Sequence, residues 1–250
     1  MRKYILGIFV VAVLAAQTSL SYAQDPSRYQ SLLATSAGRD SLLNLAMWED
    51  GRVTGNGRLF RYLQSANPLI RFRTVEVIGR LQDPQDVPVL LPMLKDQNKS
   101  VVLATVFALG QIGSKEATQG LIDLNKKSNP ATQTIIADAL GKIGGEEAIK
   151  TLDMMRGAFQ SNVRAAALEA LARAADPQTV GMVLAAIHDG DPEVIWRATY
   201  ALEKFESDRT ATLVIPLLEH DDATVRAYAA RTLGKHKIQP AVSSLMATVD

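Results

Sequence analysis

NPLIRFRTVEVIGRLQDPQDVPVLLPMLKDQ, residues 67–97, opens a series of six segments that repeat in register every 31 residues without an insertion. Stepping by 31 from Gly79 reaches Gly110, Gly141, Ala172, Glu203 and Gly234, and each follows an aliphatic residue: Ile78, Leu109, Leu140, Leu171, Leu202 and Leu233. A period of this size marks stacked helical hairpins, each burying its apolar face only against its neighbours. The predicted fold is all-α, an α-solenoid of helical hairpins over residues 67–250, with units at 67–97, 98–128, 129–159, 160–190, 191–221 and 222–250.

Two helices per unit follow from the columns. Asn67, Asn98, Asn129, Gln160, Asp191 and Asp222 begin helix A, three of them followed by Pro68, Pro130 and Pro192. Asn and Asp cap free backbone N–H groups, and proline suits the first helical position. The A-helix core runs through Ile70, Val101, Thr132, Val163, Val194 and Val225, then through Thr74, Thr105, Ile136, Ala167, Ala198 and Ala229, and then through the Leu column, at a spacing of four and four. That is helical periodicity, and the small middle residues predict close approach of adjacent hairpins. Helix B begins at Asp83-Pro84, Ser114-Lys115, Gly145-Glu146, Asp176-Pro177 and Ser207-Asp208. Its inward columns are Val87, Thr118, Ile149, Val180, Ala211, Val242 and Leu90, Leu121, Leu152, Val183, Val214, Leu245. After the Gly column stands a basic one, Arg80, Lys142, Arg173, Lys204 and Lys235 with Gln111 among them. Cations at a helix C-terminus favour the macrodipole and bond the last carbonyls, which is preferred here over a ligand-binding stripe.

These columns resemble the HEAT repeat, in the short subtype first associated with phycobilisome bilin-lyase proteins. The Val-Arg element of that pattern stands as Ile70-Arg71, Val163-Arg164 and Val225-Arg226, and departs to Val101-Val102, Thr132-Gln133 and Val194-Ile195. The resemblance implies an inter-repeat polar ladder through the arginine, which its loss in half the units interrupts. A second resemblance rests on Met47-Trp48-Glu49-Asp50-Gly51-Arg52 and Gly57-Arg58-Leu59 ahead of a repeat starting at Asn67. That stretch is similar to the N-terminal region of secreted bacterial proteins in which HEAT repeats precede a cyclophilin-type peptidyl-prolyl isomerase domain. It implies that this chain is the repeat arm of such an isomerase, with the catalytic domain outside these residues.

Ahead of the repeats, Arg2 and Lys3, the apolar run Tyr4 to Ala16 and the small-residue site Ser21-Tyr22-Ala23 read as a signal peptide of residues 1–23. The run of about 13 residues is shorter than the roughly 20 that a spanning helix needs, so no stable membrane span is expected after cleavage, and the mature chain is expected in the periplasm, the cell envelope or outside the cell. Cleavage removes two cations and moves the formal charge from +1 to −1, which leaves no basic field for nucleic acid. Residues 24–66 read as a degenerate capping repeat, with Leu42, Leu43, Leu45 and Ala46 on one helix, a loop at Gly51 to Gly57, and Leu59, Phe60 and Leu63 on the next. The last unit stops inside its second helix, so the far end of the stack is expected to be covered by a partner or by further sequence. Size and composition otherwise suit one elongated domain of 250 residues, 47% of them hydrophobic.

Reactive groups are few. With no cysteine, disulfides, thiolate metal sites and cysteine nucleophiles are excluded. His188, His220 and His236 fall in different repeats or at different edges, and no His-x-x-x-His or His-Glu pair occurs on a helix. The pairs Glu146-Glu147 and Asp221-Asp222 sit at helix starts, where acids favour the dipole. No catalytic, cofactor or metal role is therefore assigned, and the expected function is binding of a protein or peptide. On helix B, Met93, Leu124, Met154, Met155, Met182 and Leu217, with Lys150 and Gln119 beside them, are candidates for an adaptable concave face. Packing between hairpins is the competing reading for the same residues. On helix A, Trp196 with Tyr200 and Leu103 with Phe107 are i,i+4 pairs off the core stripe, either an exposed anchor or partly buried against the next repeat.

Overall fold

The computed structural model describes residues 29–174, 176–205 and 212–238. The expected signal peptide and the helix-B residues Ala211, Val242 and Leu245 lie outside them. The α-helices are α1 (Gln30–Leu33), α2 (Ser36–Asp50), α3 (Arg58–Arg61), α4 (Pro68–Leu81), α5 (Val87–Leu90), α6 (Lys99–Ile112), α7 (Thr118–Asn125), α8 (Pro130–Ile143), α9 (Glu146–Arg156), α10 (Ser161–Ala174), α11 (Val180–Ala185), α12 (Pro192–Leu202) and α13 (Ala223–Lys235), with short 3-10 turns between them and no strand among the described residues. The A helices α4, α6, α8, α10, α12 and α13 start at 31-residue intervals.

Local chemistry accounts for these limits. The side chains of Asn67, Asn98, Asn129, Asp191 and Asp222 each accept a backbone N–H from the first helical turn, and Pro68, Pro130 and Pro192 occupy the first position, where no N–H is needed. Asp83, Ser114 and Asp176 cap the B side in the same way. The third B helix starts instead from Gly144 and Gly145, both at positive φ (65° and 85°), a conformation that glycine adopts without strain. All three A-helix core columns are buried in every described repeat. On the B side one column differs from the sequence expectation. Val87 and Thr118 are buried as expected, whereas Ile149 and Val180 are only half-buried; the residue before each, at Asp86, Ala117, Ala148 and Thr179, is buried in all four. At Asp86, Ala117 and Thr179 the earlier residue ends an opening 3-10 turn, so there the inward face begins before the α-helical residues do.

The sequence suggests one elongated domain; the structure separates into two compact units that meet at Ile112 and Gly113. In a stack where each hairpin touches only its neighbours, no single core joins distant repeats. In the first unit α2 packs on α4 and α4 on α6. Leu42, Leu45, Leu59 and Leu63 are buried, Leu43 is exposed, and Trp48 lies on Gly55 and against Tyr62, ring centroids 5.7 Å apart. The Met47–Arg52 segment thus has a packing role: a Cβ at Gly55 would come within 2.5 Å of the Trp48 indole nitrogen. In the second unit α8 packs on α10, α10 on α12 and α12 on α13. A helices approach at the Gly column, where an added Cβ at Gly79 or Gly141 would meet Ala108 or Ala170 at 2.7 Å.

The arginine of the Val-Arg element forms a clamp. Arg71 donates from Nε and Nη2 to the two oxygens of Asp96, both at 2.7 Å, and from Nη1 to the carbonyl of Ser65 at 2.7 Å. Arg164 repeats this with Asp189 at 2.8 and 2.7 Å and with the carbonyls of Ala158 and Phe159 at 3.1 and 2.9 Å. Each clamp ties the end of one B helix to the loop before its own A helix. Asp96 and Asp189 also accept the backbone N–H of Asn98 and Asp191. Where the arginine is missing, the aspartate 25 residues on is missing too: Val102 goes with Lys127, Gln133 with Ala158 and Ile195 with His220.

Two outcomes test this packing. Gly141→Ala, which forces a methyl onto Ala170, is expected to destabilise by about 1–3 kcal/mol. Gly234→Ala, in the same column but with nothing within 4 Å, should stabilise by up to about 1 kcal/mol. Thermal unfolding of both variants decides this, and a shared sign would contradict it.

The clamps also predict a pH dependence. Hydrogen bonds from Arg71 and Arg164 hold Asp96 and Asp189 below the usual carboxylate range. The stability they contribute is present above the unfolded value of about 4 and is lost as pH falls through the lower folded value. Asp96→Asn or Asp189→Asn should cost about 1–2 kcal/mol at neutral pH, and the cost should shrink as pH falls below the unfolded value of about 4, read as urea midpoints across pH. Asp86 has the opposite sign. Burial, with the Asp83 charge beside it, pushes its carboxyl up, so it destabilises at neutral pH and recovers on protonation. Its Oδ2 is buried without a hydrogen bond, whereas Thr179 at the equivalent position donates to the Asp176 carbonyl at 2.7 Å. Asp86→Thr is expected to gain about 1 kcal/mol at pH 7 and to lose that gain in acid.

Candidate interaction surfaces

The helix-B candidates divide by burial. Met93, Met155 and Leu217 are core residues that fill the space between hairpins. Leu124 and Met182 are half-buried, and Lys150 and Met154 are exposed, Met154 at 64%. Lys150 and Met154 share one face of α9 at i,i+4, while Met155, one residue on, turns inward. Gln119 donates to Asp123 at 3.1 Å on the surface of α7. The structure adds a residue that the sequence reading missed: Phe159, in the loop after α9, is 94% exposed. The column contains a signal for it, because its other members are Ala66, Gln97, Ser128, Gly190 and Asp221, and Phe159 is the one large apolar residue there.

On the A side, Trp196 and Tyr200 are half-buried and meet a third ring. Tyr228 of α13 stacks on Trp196 with centroids 4.7 Å apart and stands edge-on to Tyr200 at 5.8 Å. Arg197 lies over the Trp196 ring at 4.6 Å and Arg231 over Tyr200 at 5.3 Å. These rings join α12 to α13. Leu103 and Phe107 on α6 are likewise half-buried.

The basic column does more than sit at helix ends. Arg80 and Arg73 both bond Glu49, Lys142 and Arg173 both bond Asp138, and Lys235 reaches the Glu203 carbonyl at 2.6 Å and its carboxylate at 4.0 Å. Arg197 takes Glu169 and Glu193. Most of these pairs join successive A helices. Lys204 differs: among the described residues it has no carboxylate, and its ammonium lies 5.9 Å from the Tyr200 ring.

The titratable groups do not converge. His188 is exposed, the His220 Nδ1 accepts the Asp222 N–H at 3.0 Å, and His236 is the C-cap residue of α13. Glu146 and Glu147 lie in the first turn of α9, and Asp222 caps α13. Among the described residues no group of three His, Asp or Glu side chains is placed to hold a metal ion, and no helix is long and apolar enough to cross a membrane.

Comparison with known proteins bears on the fold. The HEAT repeats family matches residues 87–159 and 151–234. Among solved structures, the archaeal HEAT-like repeats protein from Thermococcus onnurineus NA1 is similar at a TM-score of 0.55 and 12% identity, covering 87% of this chain and 98% of that one. An engineered protein gives 0.51 at 20% identity, covering 95% of this chain and 71% of its own. The complex of CpcE and CpcF of phycocyanin lyase from Nostoc sp. PCC7120 gives 0.47 at 18% identity, covering 90% and 92%. No curated protein matches the sequence. Matched over more than half its length by the family whose columns its core repeats, the chain belongs to the HEAT-repeat family, with an all-α solenoid fold.

Proposed function

We propose that the protein is a non-catalytic interaction scaffold of the cell envelope, exported through its N-terminal leader, which binds a protein or peptide on the surface formed by the end of α9 and the loop after it. One observation carries this reading: a fully exposed aromatic ring on a fixed backbone. Phe159 is 94% exposed, yet its carbonyl accepts from Arg164, whose guanidinium is itself locked to Asp189. With its backbone already ordered, such a residue has only side-chain freedom to lose on binding, and aromatic rings anchor interfaces. Met154, exposed on the last turn of α9, and Lys150 one turn earlier extend the surface, with Leu124 and Met182 as half-buried members of the helix-B set. HEAT-type stacks offer such surfaces along their length, which supports scaffolding over chemistry.

Affinity capture of residues 24–250 from envelope extract, compared with a Met154→Asp, Phe159→Asp variant, tests the proposal. Both side chains are exposed, so the variant should keep its unfolding temperature within the small range typical of surface changes, about 0.5 kcal/mol. Partners retained unchanged by the folded variant would remove this surface from consideration. Export predicts that the protein recovered from the envelope begins at Gln24.

A further inference from the structure

A surface cavity of about 420 Å3 lies between α10 and α12, lined by Glu169, Ala172, Arg173, Tyr200, Ala201 and Lys204. Its origin is in the repeat columns. Gly79 and Gly141 let the next A helix come down until a Cβ would clash with Ala108 or Ala170. Ala172 occupies that glycine position and faces Ala201, the counterpart of Ala108 and Ala170, so a methyl replaces a hydrogen at the point of closest approach. Electrostatics single out the same place. Glu169 stands 35 residues before Lys204, as Asp138 stands 35 before Arg173, but Glu169 is engaged by Arg197, which leaves Lys204 at the rim with no carboxylate among the described residues. Arg173 shares Asp138 with Lys142, so two cations divide one acid there. The Tyr200 ring forms one wall, flanked by Lys204, Arg231 and Tyr228, and its hydroxyl makes no hydrogen bond within the described residues.

We propose that this cavity binds a carboxylate carried on an apolar or aromatic group, with the Lys204 ammonium pairing the carboxylate, the Tyr200 hydroxyl donating to it, and the Tyr200 ring packing the apolar part. A volume of this order falls within the roughly 300–1,000 Å3 of ligand pockets, and an apolar wall with a few convergent polar groups is their usual lining. A helix C-terminus alone attracts a cation. That attraction does not explain Lys204, because the other cations of its column also hold acids. The site is separate from Phe159 and Met154 and does not rest on the function proposed for them. The same chemistry occurs at the end of a polypeptide and in a free small acid.

Titration of the 15N-labelled protein with N-acetylphenylalanine, with N-acetylphenylalaninamide and with an octapeptide ending in phenylalanine tests the proposal by amide chemical shifts. The acid is expected to give saturable shifts at Tyr200, Ala201 and Lys204, to bind at least about tenfold more tightly than the amide, and to weaken with salt. Lys204→Met should reduce the acid to the affinity of the amide while leaving the unfolding temperature unchanged, since Lys204 is exposed. Tighter binding of the octapeptide than of the free acid assigns the site to a polypeptide end, and equal binding assigns it to a small acid. Equal affinity of acid and amide in the wild-type protein, shifts centred elsewhere, or no saturation by about 10 mM would overturn it.

Discussion

Close approach of backbone to backbone at the Gly column governs much of this structure. Gly79 against Ala108 and Gly141 against Ala170 leave no room for a Cβ, so successive A helices are held at the shortest distance that their main chains allow. Interiors are packed densely enough that one methylene matters, and the column is therefore both a spacer and a point of variation. Ala172 and Glu203 occupy the same position in later repeats. Beside Ala172 a cavity opens, and beside Glu203 a buried carboxylate is met by Arg231 and Lys235.

Ion pairs set on this frame are specific to individual repeats. The clamps of Arg71 and Arg164 hold loop carbonyls and a carboxylate in one guanidinium plane, a bidentate arrangement that combines geometry with charge. Along the A helices, acids on one helix take cations from the next, which gives the basic column a partner on a neighbouring element as well as a place in the helix dipole. Arg197 illustrates the competition: by taking Glu169 it leaves Lys204 over an aromatic ring.

The fold was largely legible in the sequence, and the reason is visible in particular residues. Asn67, Asp191 and Pro130 act within one turn of their own position, so their roles follow from the chain alone, and the columns through Ile70, Thr74 and Ile78 repeat until no other register fits. The surfaces were less legible. Met154 and Met155 are neighbours of the same type, yet one is exposed and the other buried, because a helix turns by 100° per residue and its rotation depends on what it packs against. The inward B column is buried at Val87 and Thr118 but only half-buried at Ile149 and Val180, for the same reason. Tyr228 joins Trp196 and Tyr200 from another repeat, and nothing local to any of the three specifies the others.

By itself the sequence determined the period, the helix limits and caps, the three core columns and the HEAT-repeat class, since each arises from short-range chemistry repeated at a fixed interval. Only the tertiary structure decided which arginine meets which acid, that a cavity lies beside Ala172, and that Phe159 stands exposed on a clamped loop. These depend on side chains from different helices arriving at one place, and a repeating sequence fixes the spacing of the helices without fixing which side chains meet between them.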